Sequence, residues 1–396
     1  MKLAADNHLL VIVFFKSDQM GVVGHKLVVH ATSHLAYTQW RAGDQDMKTL
    51  EYKLLFNTPA FLGNAQQDGQ WRTPPIKAQL RQWWRMAYAA GRHQERGLVD
   101  AMRQEEGRLF GVAADGRDGA SRKSQVRLRL DRWDLGVMGR WEPMSKVQHR
   151  ETKFPVGADL YLGYGPVTLP RGANVPQLKA RAAIQFGESA MLSLAYPDAD
   201  DAFLQQALGL MHRYGTLGGR SRNGWGAYAL LPQGQANRDW AMPLPRELTR
   251  DWRDCLTLDW PHALGRDDKG PLVWTTAPQP DWKSVMVDLA RLKIGLRTQF
   301  KFVSGKDAAV PEARHWLSYP VTNHSVKPWG RNSRLPNTLR FKVRPRGDGK
   351  LVGVIFHIPH LPPAGFNPDR RAIEAVWRQV HLHLDHPSSG LTRIAD

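Results

Sequence analysis

The sequence predicts an α+β protein of two tandem ferredoxin-like (RRM-like) domains, carrying insertions and a glycine-rich loop. Three observations lead there. Over residues 49–231 the signals run strand, helix, strands, helix, glycine-rich loop, strand, which is the β-α-β-β-α-β order. Beyond residue 245 a helix, two strands and a further helix suggest a second unit of the same kind. The length of 396 residues exceeds one ordinary core and suits two. The expected division is an N-terminal extension at 1–46, a first domain at 47–232 and a second at 233–396.

Each element has its own signal. Residues 1–46 contain a short strand-like run at 9–15 and little other pattern. They are expected to be a poorly ordered extension, with Met47 as the native start. Residues 49–56 read as a strand, and Pro59 and Gly63 then force an irregular connection. A helix follows Arg72, with Thr73 as its expected cap and Pro74 and Pro75 in its first turn. Ile76, Leu80, Trp83, Ala87 and Ala90 fall on one face at helical spacing. Lys77, Arg81 and Arg85 form a second, basic stripe, and Trp84 lies between the two. A short helix is expected at 98–108, a mobile loop at 113–124 and a half-buried strand at 125–131 with Arg127 and Arg129 outward. Residues 132–157 read as an insertion. Strands are expected at 159–167, 181–186 and 190–195, the last two joined at Gly187-Glu188. Acidic residues at 198–201 suit the start of a helix, and 227–231 reads as a strand. After a linker at 232–245, a helix is expected at 282–298, strands at 338–344 and 351–358, and a helix at 368–384. Leu339, Phe341 and Val343 alternate with Arg340, Lys342 and Arg344, which predicts a strand with a basic outer face.

Composition narrows the function. Lys and Arg outnumber Asp and Glu by 55 to 37, a net charge of +18. Such an excess attracts polyanions. The single cysteine, Cys255, excludes a disulfide framework and a cysteine-based zinc site. It fits a reducing cytoplasm. The run at 9–15 is far shorter than the ~20 residues of a membrane span.

The chemistry concentrates in residues 215–226, where five of twelve positions are glycine. Gly218 and Gly219 allow close approach of another chain. Arg220 and Arg222 offer planar donors suited to phosphate, and Trp225 offers a face for a base. No Gly-Lys-Ser/Thr closes the loop, and it follows a helix rather than preceding one, so nucleotide triphosphate binding is disfavoured. Arg72, Lys77, Arg81 and Arg85, with Trp84 for stacking, supply the other half of a proposed RNA cleft. Ser121, Arg122 and Lys123 belong to the basic 113–124 loop. Arg314 and His315 belong to an aromatic-basic segment at 314–334. His357/His360 and His381/His383 lack metal-ligand spacing, so neither metal nor cofactor is expected. Cleavage of RNA needs only an acid and a base about a 2′-hydroxyl, which leaves a ribonuclease open with His315 as its candidate.

Residues 56–63 (Phe-Asn-Thr-Pro-Ala-Phe-Leu-Gly) and 72–85, ending in Arg81-Gln82-Trp83-Trp84-Arg85, resemble the opening of the first subunit of CRISPR RAMP-module (Cmr) complexes. Leu109-Phe110-Gly111 and residues 121–129 continue the resemblance. Residues 218–226 look like the glycine-rich loop of RAMP proteins generally, and residues 314–320 and 339–343 resemble that subunit's second half. The likeness runs from about 50 to 345. It implies tandem ferredoxin-like domains in a type III-B CRISPR effector that carries a guide RNA and binds complementary target RNA. This chain would sit near the guide's 3′ end, bind RNA and neighbouring RAMP subunits, cap the filament, and leave cleavage to the repeating backbone subunit. An endoribonuclease processing CRISPR transcripts and a purely structural cap are the alternatives.

Overall fold

The computed structural model describes residues 46–113, 121–234 and 245–394, together with the backbone of three short strands before residue 46. Most of the expected loop at 113–124, most of the expected linker at 232–245 and most of residues 1–46 lie outside the described residues. The chain divides into two units, Met1–Met47 and Lys48–Asp396. In the first, strands Ala5–Asp6, Leu9–Phe14 and His25–His30 pair antiparallel in chain order.

The second unit holds two four-stranded antiparallel sheets, the first of whose strands begins one residue before the unit, at Met47. The first is built from β1 (Met47–Phe56), α1 (Thr73–Ala89), α2 (Leu98–Phe110), β2 (Arg127–Leu130), α3 (Ala158–Gly163), β3 (Ser189–Pro197), α4 (Asp201–Tyr214) and β4 (Tyr228–Gln233). Its strand order is β4-β1-β3-β2. The second is built from β5 (Val273–Thr275), α5 (Trp282–Thr298), α6 (Ala313–Leu317), β6 (Leu339–Pro345), β7 (Leu351–His357), α7 (Arg370–Asp385) and β8 (Thr392–Arg393). Its order is β6-β7-β5-β8. In each sheet the fourth strand lies beside the first, the first beside the third and the third beside the second, the order of a β-α-β-β-α-β unit.

The alternation in β1 buries Leu50, Tyr52, Leu54 and Phe56 under α1 and α4. One core continues from these residues through Tyr214 to Val354 and Phe356 of β7, with the Tyr214 and Phe356 rings 4.9 Å apart. A second core gathers Trp141, Leu162 and Trp225 with Met286, Leu289, Trp316 and Ile355. Both cores thus draw on both halves of the unit.

Four sequence expectations change. Arg72, not Thr73, is the α1 cap residue, and it makes no side-chain cap bond. Residues 158–163 are helical rather than a strand, because burial recurs at Ala158, Asp159 and Leu162 with helical spacing. Asp159 accepts from the Trp141 indole N–H at 2.8 Å and the Met144 N–H at 3.2 Å, which fixes that turn. Residues 181–186 make only isolated bridges, Ala183 to Met138 and Ile184 to Ala60. Finally, β6 has no basic outer face, since Arg340 and Lys342 are buried. Lys342 is 0% exposed; its Nζ donates to the carbonyls of Met211 (3.2 Å) and His212 (2.7 Å) near the end of α4. These bonds serve carbonyls in the last turn of a helix while burial pushes the Lys342 ammonium well below its ordinary value, and this strand face closes on the first half rather than on water.

Candidate nucleic-acid interface

The glycine-rich loop is shaped by the chain's own backbone. Gly218 has φ +91°, and a Cβ there would lie 2.6 Å from the Phe61 carbonyl oxygen. At Gly226 (φ +62°) a Cβ would lie 1.8 Å from the Leu217 oxygen, so no side chain fits. Gly219 N–H donates to Phe61 O at 2.9 Å. Thr58 Oγ1 donates to Gly224 O (2.8 Å) and accepts from Ala227 N–H (2.9 Å), closing the loop's base.

The tip of the loop, residues 220–223, forms part of the wall of an open cleft of about 1650 Å³. The other walls come from residues 149–164, the end of α5, and residues 314–324 and 334–337. Eight cationic side chains line it: Arg150, Arg220, Arg222, Lys293, Arg297, Lys301, Arg314 and Arg334. The one lining carboxylate, Glu151, already accepts from Arg314 Nη1 at 2.6 Å. The cleft therefore carries a concentrated positive field in a concave wall, which raises the local concentration of polyanions.

Asn223 is the joint of this wall. Its Nδ2 donates to Leu162 O of α3 at 2.7 Å, and its Oδ1 accepts from Lys293 Nζ of α5 at 2.6 Å. Burial pushes the Lys293 ammonium down to about 7, and the Arg297 and Arg220 charges push the same way. Burial also lowers Arg297. An approaching phosphate would reverse these penalties by supplying the missing counter-charge.

The structure sorts the residues singled out by sequence. Gly218, Arg220, Arg222 and Arg314 line the cleft. Gly219 sits behind it against Phe61 and Pro166. Trp225 is corrected: it is 0% exposed, wedged among Phe61, Trp141 and Trp282, and offers no face to a base. Trp84 is corrected likewise, at 1% exposure between Tyr88 and Phe110. The basic stripe of α1 does not line the cleft. Arg81 and Arg85 both bind the buried Glu106 of α2, with Arg85 Nη2 at 2.7 Å from Oε1, and Lys77 donates to Ser124 Oγ at 2.6 Å. Arg72 donates to Gly63 O at 2.7 Å. Ser121, Arg122 and Lys123 are exposed but lie outside the lining. His315 is 0% exposed; its Nδ1 accepts the Glu312 N–H at 2.9 Å and its ring packs tilted or edge-on among Phe302, Tyr319 and Trp329, so it caps α6 and is not presented as a surface base.

No protein-family model and no curated protein matches the chain. Among solved structures, it is similar to the apo crystal structure of Cmr1 from Pyrococcus furiosus, at 15% identity and TM-score 0.40, covering 80% of this chain and 90% of that one. A chain in the cryo-EM structure of the Type III-B Cmr-beta complex bound to cognate target RNA and AMPPnP, in the presence of ssDNA, matches at 11% identity and TM-score 0.41, covering 85% and 100%. A chain in the same complex bound to cognate target RNA matches at 12% and 0.40, covering 84% and 99%. Likenesses of this degree fix neither family nor activity.

Sequence reasoning missed Lys293, Arg297 and Lys301, the row that α5 and its following turn give to the cleft. Their i, i+4, i+8 spacing matches that of Lys77, Arg81 and Arg85, and could have been found by the same count. Arg334 ends the aromatic-basic segment at 314–334 and Arg150 has no signal of its own; only the fold brings both to the cleft. Among the described residues, no group of three His, Cys, Asp or Glu is placed to hold a metal ion, and no helix is long and apolar enough to cross a membrane.

Proposed function

We propose that the chain is a non-catalytic RNA-binding subunit of a type III-B CRISPR (Cmr) effector. In this reading it acts in the cytoplasm, in antiviral defence. It sits near the 3′ end of the guide RNA, beside other RAMP subunits, and supports binding of target RNA. One observation carries the proposal: the cleft bordered by the glycine-rich loop holds eight Lys and Arg side chains against a single, already paired, carboxylate. That arrangement suits a chain of phosphates and discriminates little by sequence, as expected where guide–target pairing supplies specificity. The resemblance of residues 56–63 and 72–85 to the first Cmr subunit supplies the biological setting.

The test is the salt dependence of RNA binding. Replacing Lys293, Arg297 and Lys301 together by Gln should weaken binding and reduce the slope of log K against log salt by about 2, at ~0.7 per phosphate contact with a single strand. An unchanged slope would sink this reading in favour of a purely structural cap. In the same assay without metal the RNA should remain intact; cleavage would favour the endoribonuclease.

A further inference from the structure

The loop tip does more than contribute charge. Arg220, itself in the left-handed region at φ +56°, donates from Nε to Tyr164 O at 2.6 Å. Asn223 holds Leu162 O two residues earlier. On the far side, Gly165 N–H donates to Val167 O at 3.2 Å and Lys179 N–H to Pro166 O at 2.8 Å. The backbone around residue 164 is thereby fixed on both sides. The side chain it carries is not buried: Tyr164 is 63% exposed and lines the cleft. The Arg220 guanidinium stays beside it, 3.7 Å from where a Cβ on Gly165 would stand. A solvent-facing aromatic on a backbone held from both sides, beside an exposed arginine in a basic cleft, has the chemistry of a base-stacking platform with an adjacent phosphate contact.

We propose that Tyr164 stacks an unpaired base of the bound RNA while Arg220 takes the neighbouring phosphate. The inference rests on the RNA-binding reading above and deepens it by assigning the stacking role, which sequence gave to Trp84 and Trp225, to a residue able to perform it. A paired base has both faces covered by its neighbours, so the platform distinguishes single-stranded from duplex RNA.

The experiment uses the full chain and a short single-stranded RNA containing 2-aminopurine at successive positions, with an RNA duplex of equal length beside it. At one or more positions, binding to the wild-type protein should quench the fluorophore. Tyr164→Ala should abolish that quenching and weaken single-strand binding about tenfold, within the range set by one base–aromatic stack. The salt slope and duplex binding should not change. Tyr164→Trp should restore quenching. An unchanged affinity and unchanged quenching in Tyr164→Ala, or an equal loss on duplex and single strand, overturns the inference. If wild-type RNA binding with a steep salt slope survives in that case, the RNA-binding reading stands without it. Absence of any RNA binding by the wild-type protein overturns both.

Discussion

Lys293 shows what a single side chain in this cleft controls. Its ammonium is held at about 7 by burial and by the Arg297 and Arg220 charges, so near neutral pH it is divided between two forms. A phosphate favours the charged form, and binding should therefore draw in a proton. With the pKa near 7, raising the pH from 6 to 8 should weaken RNA binding about tenfold. Lys293→Arg stays charged across that range and should bind with a flat pH profile. Affinities measured across the range decide it; identical profiles for both proteins would refute the assignment. The spacing of Lys293, Arg297 and Lys301 marks a basic row in the sequence, but not the depressed pKa, which comes first from burial and then from the Arg297 and Arg220 charges. The reverse error occurred at Trp84 and Trp225. A tryptophan beside arginine reads the same in sequence whether its ring faces water or the core.

At the scale of elements, α1 was read correctly in place and apolar face, and misread in cap and partner. The spacing of Lys77, Arg81 and Arg85 fixes that they share a face; it does not say what that face meets. Here it meets α2, where Glu106 is buried beneath two guanidiniums, both of which are close to 40% exposed. Breaking a buried pair leaves an uncompensated charge, and the exposure of the arginines reduces the effect through solvent screening. Replacing Arg81 and Arg85 together by Ala should cost about 1–3 kcal/mol of stability, read as a lower denaturation midpoint. RNA affinity of the folded variant should stay near wild type. A large loss of affinity with unchanged stability would return the stripe to the RNA interface. The β6 strand teaches the same lesson: its alternation was real, yet both faces are buried, and Lys342 finds the α4 carbonyls in place of water.

Across the whole molecule, the shared cores bury imidazoles that sequence treated as separate. His357 Nδ1 and His381 Nε2 are 2.9 Å apart, and Thr338 Oγ1 lies 2.9 Å from His357 Nε2. Burial holds His357 well below its ordinary value, His381 at about 3 and His262 at about 4. In the unfolded chain each would titrate near 6.5. Above that value both states are neutral and nothing is lost. Below it the unfolded chain binds protons that the folded one does not, so stability falls with falling pH, by at most ~1.4 kcal/mol per unit for each group. The melting temperature should therefore drop between pH 6.5 and 4. His381→Gln should flatten that drop, and a wild-type melting temperature constant over the window would contradict the linkage.

The β-α-β-β-α-β order of the first half apart from residues 158–163 and 181–186, the span of α5, the basic character and the glycine-rich loop were determined by local sequence, whereas β5 and β8 of the second half were not. Periodicity, proline and glycine act over one or two turns, and that range is visible in a single chain. The tertiary structure decided which charges stand together. It set the α1 stripe against Glu106, buried Trp84, Trp225 and His315, and gathered Arg150, Arg220, Lys293, Arg297 and Arg334 around one cleft. These residues are far apart in the chain, and their juxtaposition depends on how two sheets share their cores. Local pattern carries no information about that packing, so the cleft became visible only once the sheets were assembled.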